Sequence, residues 1–202
     1  LGMGLVIISG GIDLSVGSLM ALFGTAFFFL LTGSHAWIPG MPWVPAIIVL
    51  LAFSAIVGVF HGWLIAKIRM PAFVVTLCGL LGYRGLAQTM THDTAIGYYD
   101  AKVGIAGLEK LLTGEILGLP AAFIAFLFVS AVVYYLLHLS VFGRDLLALG
   151  RNEQAASYSG INTKMIMGLA YVICSVLAAI SALFFALYTA DVVPSIHGNF
   201  YE

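Results

Sequence analysis

The sequence predicts an all-α protein, a polytopic bundle of transmembrane helices, on two observations. Hydrophobic residues make up 62% of the chain against 8% charged, with a mean hydropathy of +1.10; eight Lys or Arg and nine Asp or Glu cannot clothe a water-soluble core. Apolar runs of roughly 20 residues, the length a helix needs to cross about 30 Å of hydrocarbon, recur along the chain. The net charge of -1 argues against a nucleic-acid partner, because a phosphate-binding surface requires clustered cations.

Taken in order, the spans are expected over Ser15 to Leu31, Val44 to Ile65, Phe73 to Met90, Leu119 to Leu139 and Met165 to Ala190. The piece Leu1 to Ser9 is either the tail of a span or the first half of a broken one. Between the spans lie the Pro-rich turn WIPGMPWVP (Trp37 to Pro45), the basic turn KIRMP (Lys67 to Pro71), a mixed loop from Thr91 to Gly118 and a polar segment from Ser140 to Lys164. Within the mixed loop, AGLEKLLTGEILGLP reads as a short amphipathic helix or as a plain loop. The whole of 1–202 is expected to be one transmembrane domain. It opens on Leu1 without a basic n-region or cleavage site, so it reads as an internal piece of a longer chain and not as a signal peptide. Cys78 and Cys174, each inside an apolar stretch, are expected to be packing residues, and His61, His92, His138 and His197 have no metal-ligand spacing.

Positive charge orients this stack, because cytoplasmic loops retain Lys and Arg. Lys67 and Arg69 mark one cytoplasmic turn, and two spans later Arg144, Arg151 and Lys164 mark another. The loop between them faces outward, its Lys102 and Lys110 outnumbered by Asp93, Asp100, Glu109 and Glu115. The helix starting at Ser15 therefore runs outward.

Two polar stretches interrupt the apolar background. In GGIDLSVGS, Gly10 and Gly11 relax the backbone just before Asp13 and Ser15, at the start of a span. Asp13 is readable as an N-cap, accepting hydrogen bonds from unpaired N–H groups. The alternative reading is a carboxylate shown by a discontinuous helix to a translocation pathway or partner helix, since an acid at such depth is costly. In GRNEQAASYSGIN, Ala155 and Ala156 favour a short helix, Gly160 terminates it and Asn162 follows. This stretch is either an attachment surface, with alanines allowing close approach and Arg151 and Glu153 fixing register, or an ordinary solvated loop.

A third stretch, PAFVVTLCGLLGYRGLA (Pro71 to Ala87), joins these two. In that order the three resemble the permease subunit of bacterial ABC importers for ribose-type sugars, and the closing GNFYE resembles the start of that family's next motif, YELDAIA. The resemblance implies a permease of roughly ten helices, of which this chain holds an internal part, in the bacterial inner membrane. It implies as partners a second permease chain, a cytoplasmic ABC ATPase, a periplasmic or lipid-anchored substrate-binding protein and the surrounding membrane lipid. It makes Arg151, Asn152, Glu153, Gln154, Ala155, Ala156 and Gly160 the coupling loop that docks on the ATPase and rocks the helices as the ATPases close. The widespread form of that loop begins Glu-Ala-Ala, whereas here Gln154 holds the first position and Glu153 precedes it. The sugar would pass between the paired permeases.

No catalytic residue, metal or cofactor is expected in this chain. It has no GxxxxGK(S/T) phosphate loop, no HExxH and no GxSxG, so ATP and magnesium belong to the partner ATPase. Gly10, Gly11, Asp13, Ser15 and Arg84 are the candidates for a helix break or pathway, Arg84 because a guanidinium deep in a span requires a partner. Gly58 and Gly62, and Gly79, Gly82 and Gly85, have the spacing of helix-packing notches. Two other classes stand as alternatives: an ion-coupled transporter or channel, and an intramembrane enzyme using Asp13 or Asp191 with a second facing carboxylate.

Overall fold

The computed structural model describes residues 1–33, 40–97, 106–116 and 118–194. Trp37, Asp100, Lys102, His197 and the closing GNFYE lie outside the described residues.

The architecture is all-α: α1 (Gly2–Ile8), α2 (Val16–Thr32), α3 (Trp43–Gly62), α4 (Ala72–Thr91), α5 (Ala106–Thr113), α6 (Ala121–Tyr134), α7 (Val141–Arg151), α8 (Glu153–Tyr158) and α9 (Thr163–Thr189). Two of these helices continue through a wider π turn, α3 over Trp63–Lys67 and α6 over Tyr135–Leu139. The ends follow from local chemistry. Pro42, Pro71 and Pro120 stand immediately before α3, α4 and α6, where a missing N–H leaves no bond unmade. Gly33 closes α2 in the left-handed region, and His92 and Ala190 do so for α4 and α9. Each expected span appears within two residues of its anticipated ends. Three are long and apolar enough to cross a membrane: Trp43–Lys67, Ala121–Leu139 and Thr163–Thr189, while Val16–Thr32 is apolar but shorter. Helix α4 is long enough but falls outside that set, because its glycines and threonines, with Arg84 and Gln88, dilute its apolar residues. The mixed loop contains the helix α5 and a small hairpin of β2 (Glu115–Ile116) with β3 (Leu119–Pro120).

Helix α9 is the axis of the bundle. It runs antiparallel to α3 along a seam of small residues: a Cβ on Gly58 would lie 2.6 Å from the Val172 Cα, and one on Gly62 would lie 2.8 Å from the Gly168 Cα. Across the same seam the Ser175 hydroxyl donates to the Ser54 carbonyl at 2.7 Å. Gly58 and Gly62 are thus the notches that let two backbones touch.

Apolar side chains gather in two clusters stacked along α9. Phe23, Phe27 and Phe28 of α2 pack with Leu50 of α3 and with Ala182 and Ala186 of α9. Leu5 and Val6 of α1 pack with Leu146 and Leu149 of α7 and with Ile166 and Ala170 of α9. At the end beyond the first cluster, β1 (Ile96–Gly97) pairs antiparallel with β4 (Asp191–Val192). The opposite end collects the cations, with Lys67 and Lys164 on one cleft and Arg144 and Arg151 on another.

Candidate functional site

Both polar stretches are built with the same local device. Helix α1 ends at Ser9, where Gly10 N–H donates to the Ile7 carbonyl and Gly11 N–H to the Val6 carbonyl, with Gly10 at φ +84°. Helix α8 ends likewise: Gly160 N–H donates to the Ser157 carbonyl, Ile161 N–H to the Ala156 carbonyl, and Gly160 stands at φ +85°. This is the Schellman closure, which requires a left-handed residue that only glycine supplies without strain.

The device at Gly10 reverses the chain. Gly2 lies against Cys174 and the other end of α1, at Ile8, lies against Gly150, whereas α2 leaves the reversal in the opposite direction, with Gly24 beside Ala186 and Val192. Helices α1 and α2 therefore run in opposite directions along α9, and are not two collinear halves of one broken span. Gly11 has no room for a side chain, since a Cβ there would sit 2.6 Å from the Tyr171 hydroxyl. That hydroxyl donates to the Ile12 carbonyl at 3.2 Å and pins the returning chain to α9.

Asp13 is not the N-cap. The cap position of α2 is Ser15, and the Asp13 carboxylate, two residues earlier, accepts from the Ser15 N–H at 2.9 Å and from the Ser15 hydroxyl at 2.6 Å. The short side chain closes its own turn before the helix begins. Asp13 is only 2% exposed, and side chains from three other helices surround it. His61 of α3, Tyr83 of α4, and Tyr171 and Cys174 of α9 lie within its electrostatic reach. His61 Nε2 and the Tyr83 hydroxyl share a hydrogen bond of 2.8 Å, and His61 is 1% exposed. Gly79 of α4 makes the space: a Cβ there would lie 3.0 Å from the Tyr83 ring, 3.2 Å from His61 Nε2 and 3.4 Å from the Ser15 Cβ. The result is a closed polar junction that ties the start of α2 to α3, α4 and α9. Arg84, next to Tyr83, is half-buried on α4.

At the cationic end, α7 and α8 form a helical elbow. Ser140 caps α7 by accepting from Gly143 N–H, Asn152 caps α8 by accepting from Ala155 N–H at 3.0 Å, and Asn162 caps α9 by accepting from Met165 N–H. One face of α7 buries Leu146 and Leu149 while Arg144 and Arg151 remain exposed. The hollow of the elbow is a cleft of about 480 Å³ lined by Arg144, Leu147, Arg151, Asn152 and Ala155. Glu153, Gln154, Ala155 and Gly160 are exposed and Tyr158 is 91% exposed. Ala156 differs from the expectation for it. At 4% exposure it is buried, at the floor of that same cleft, where its small side chain lets α8 seat closely on the bundle.

Tertiary structure brings the two polar stretches together. A cavity of about 270 Å³ is lined by Gly10 and Gly11 from the reversal, by Glu153 from α8, and by Arg69 and Lys164. Asp13 and Asp191 are not brought together, the first in the junction and the second in β4 beyond the far end of α9. Among the described residues, no group of three or more His, Cys, Asp or Glu could hold a metal ion. His61, Tyr83 and Tyr171 are the site residues that sequence reasoning missed. The signal for His61 was present, because an imidazole within an apolar span raises the same question of a partner as Asp13 and Arg84 do.

A bundle of apolar helices, with a buried polar junction inside and a charged amphipathic elbow at one end, defines an integral membrane protein built around helix packing. The chain belongs to the branched-chain amino acid transport system / permease component family, whose model matches residues 1–202. It is 35% identical over 91% of its length to the fructose import permease protein of Bifidobacterium longum, covering 49% of that protein. It is 34% identical over 90% of its length to the ribose import permease protein of Escherichia coli, covering 54%. It is 30% identical over 92% of its length to the galactofuranose transporter permease protein of Escherichia coli, covering 51%. The chain thus spans about half the length of the curated relatives it matches. No solved structure matches it.

Proposed function

We propose that this chain is part of the membrane-spanning permease subunit of an ATP-binding-cassette importer that carries a sugar or sugar-like solute across the bacterial inner membrane. The observation that supports this reading most is the similarity, over nine-tenths of the chain, to permease proteins named for fructose, ribose and galactofuranose import. In this reading the subunit does no chemistry. A cytoplasmic ABC ATPase uses ATP and magnesium, a substrate-binding protein delivers the sugar, and a second permease chain completes the pathway.

The α7–α8 elbow is the ATPase-facing surface. It lies at the cationic end, where the retention of Lys and Arg puts the cytoplasm, and it presents Arg151, Gln154, Ala155, Tyr158 and Gly160 to solvent. A bulky charge at Gly160 would lose the left-handed closure of α8 and alter the face beside it.

Co-purification of the full-length permease with its co-encoded ATPase, combined with uptake of labelled fructose, ribose and galactose into whole cells, tests the reading. The expected result is a stable complex that imports one of these sugars, and a Gly160→Glu variant that inserts normally but loses both ATPase and uptake. Normal co-purification and uptake by Gly160→Glu would remove the elbow as the docking surface. Uptake that persists without the ATPase, driven by an ion gradient, would replace the importer reading altogether.

A further inference from the structure

We infer that the chain reversal at Gly10–Gly11 is the element that receives the movement of the ATPase-facing elbow, with Gly150 and Glu153 as its positioning residues. The inference rests on the import reading above and adds to it the route by which the elbow reaches the membrane helices.

One contact and one shared cleft join the elbow to the reversal. The first is apolar and close. Leu146 and Leu149 of α7 are buried in the same cluster as Leu5 and Val6 of α1. In the last turn of α7, any Cβ on Gly150 would run into the carbonyl oxygen of Ile8, so the two backbones meet with no side chain between them. Packed interiors transmit displacement because they have no slack. Where two backbones touch, there is not even a rotamer to absorb it. The second is a shared cleft. Glu153, the first residue of α8, lines the cavity that Gly10, Gly11, Arg69 and Lys164 also line, so one acid and two cations border it together with the glycines that turn the chain. Arg69 stands at φ +66°, a costly conformation for a residue with a side chain, held on the rim of that cavity.

On its other side the reversal is anchored to the parts that would move. Gly11 and Ile12 are seated on Tyr171 of α9, and Asp13 fixes Ser15 at the start of α2. Ser15 in turn lies against Gly79 of α4, beside the His61–Tyr83 bond. A shift of α7–α8 therefore reaches α1 through Gly150, turns at Gly10, and arrives at the first turn of α2.

The test uses the full-length permease, assembled with its ATPase in proteoliposomes and supplied with its sugar-loaded binding protein, in the variants Gly150→Ala, Glu153→Gln and the charge exchange Glu153→Arg with Arg69→Glu. In Gly150→Ala the ATPase is expected to remain bound and hydrolyse ATP, while stimulation by the loaded binding protein and sugar uptake both fall by about tenfold, the usual scale of coupling between distant sites. Glu153→Gln is expected to show the same uncoupling to a smaller degree, and the exchange to restore it at least in part. If Gly150→Ala fails to insert, the Glu153 variants decide alone. Wild-type stimulation and uptake in Glu153→Gln, together with no difference between Glu153→Arg alone and the exchange, would overturn the inference. Failure of the unaltered permease to bind any ATPase would instead remove the import reading on which it rests.

Discussion

The α3–α9 seam and the junction around Asp13 lie side by side in the bundle and are held by opposite means. The seam is nearly all backbone: Gly58 and Gly62 meet Val172 and Gly168, and one hydrogen bond from Ser175 to Ser54 crosses it. The junction is nearly all polar side chain, with Asp13, Ser15, His61, Tyr83, Tyr171 and Cys174 drawn from α3, α4, α9 and the segment leading into α2. A seam of touching backbones has one good packing and resists change in proportion to the volume inserted. A hydrogen-bonded junction in a low-dielectric interior is directional, and its groups can exchange partners without changing volume. The seam is thus suited to be a fixed axis, and the junction to be the place where the start of α2 is held.

The largest expected effect tests the fixed axis. Gly62→Leu should insert a side chain where none fits, costing about 3 kcal/mol, and the permease should disappear from membranes or run as aggregate in detergent gel filtration. A monodisperse, well-expressed Gly62→Leu protein would show that α3 and α9 can separate. At the junction the comparable steric test is Gly11→Ala, with an expected cost of about 2 kcal/mol read from thermal unfolding in detergent. Here the nearest atom is a single hydroxyl, so Tyr171→Phe should restore part of the loss. Additive effects of the two changes would mean that Gly11 and Tyr171 do not press on each other.

A smaller effect separates the acceptor role of Asp13 from its charge. Asp13→Ala should cost about 1 kcal/mol by removing the acceptor for Ser15, while Asp13→Asn keeps an oxygen in place and should be stable. Uptake by the Asn variant is expected to be partial, because the carboxylate also faces His61 and Tyr83. Full uptake by a well-expressed Asp13→Ala variant would leave the junction without a part in transport. The smallest effect is the coupling between His61 and Tyr83. A double-mutant cycle with His61→Leu and Tyr83→Phe should give about 0.6 kcal/mol, the usual worth of one interhelical hydrogen bond in a membrane protein. A coupling of zero would mean the 2.8 Å contact does not hold α4 to α3.

The ends of the helices were legible because they depend on nearest neighbours. Proline at 42, 71 and 120 and glycine at 33 and 160 act through their own backbone, wherever the rest of the chain lies. The packing role of Gly58 and Gly62 was legible for a similar reason, since small residues four apart share one helix face. The surroundings of Asp13 were not. Its neighbours lie 48, 70, 158 and 161 positions away, and a spacing along one helix carries no information about which face of another helix it meets. The burial of Ala156 was hidden in the same way, because an alanine suits both a docking face and a seat against one's own bundle.

By itself the sequence determined that this is an all-α membrane protein, where its spans begin and end, and which two polar stretches stand out from them. Those properties are sums over local terms: transfer of apolar side chains, backbone preference of glycine and proline, and placement of charge at a surface. Only the tertiary structure decided that the chain reverses direction between α1 and α2, that Asp13 serves Ser15 inside a buried cluster, and that the reversal at Gly10 and the elbow at Glu153 border one cavity. These depend on which helix faces meet, and that choice is made by the packing of the whole bundle at once.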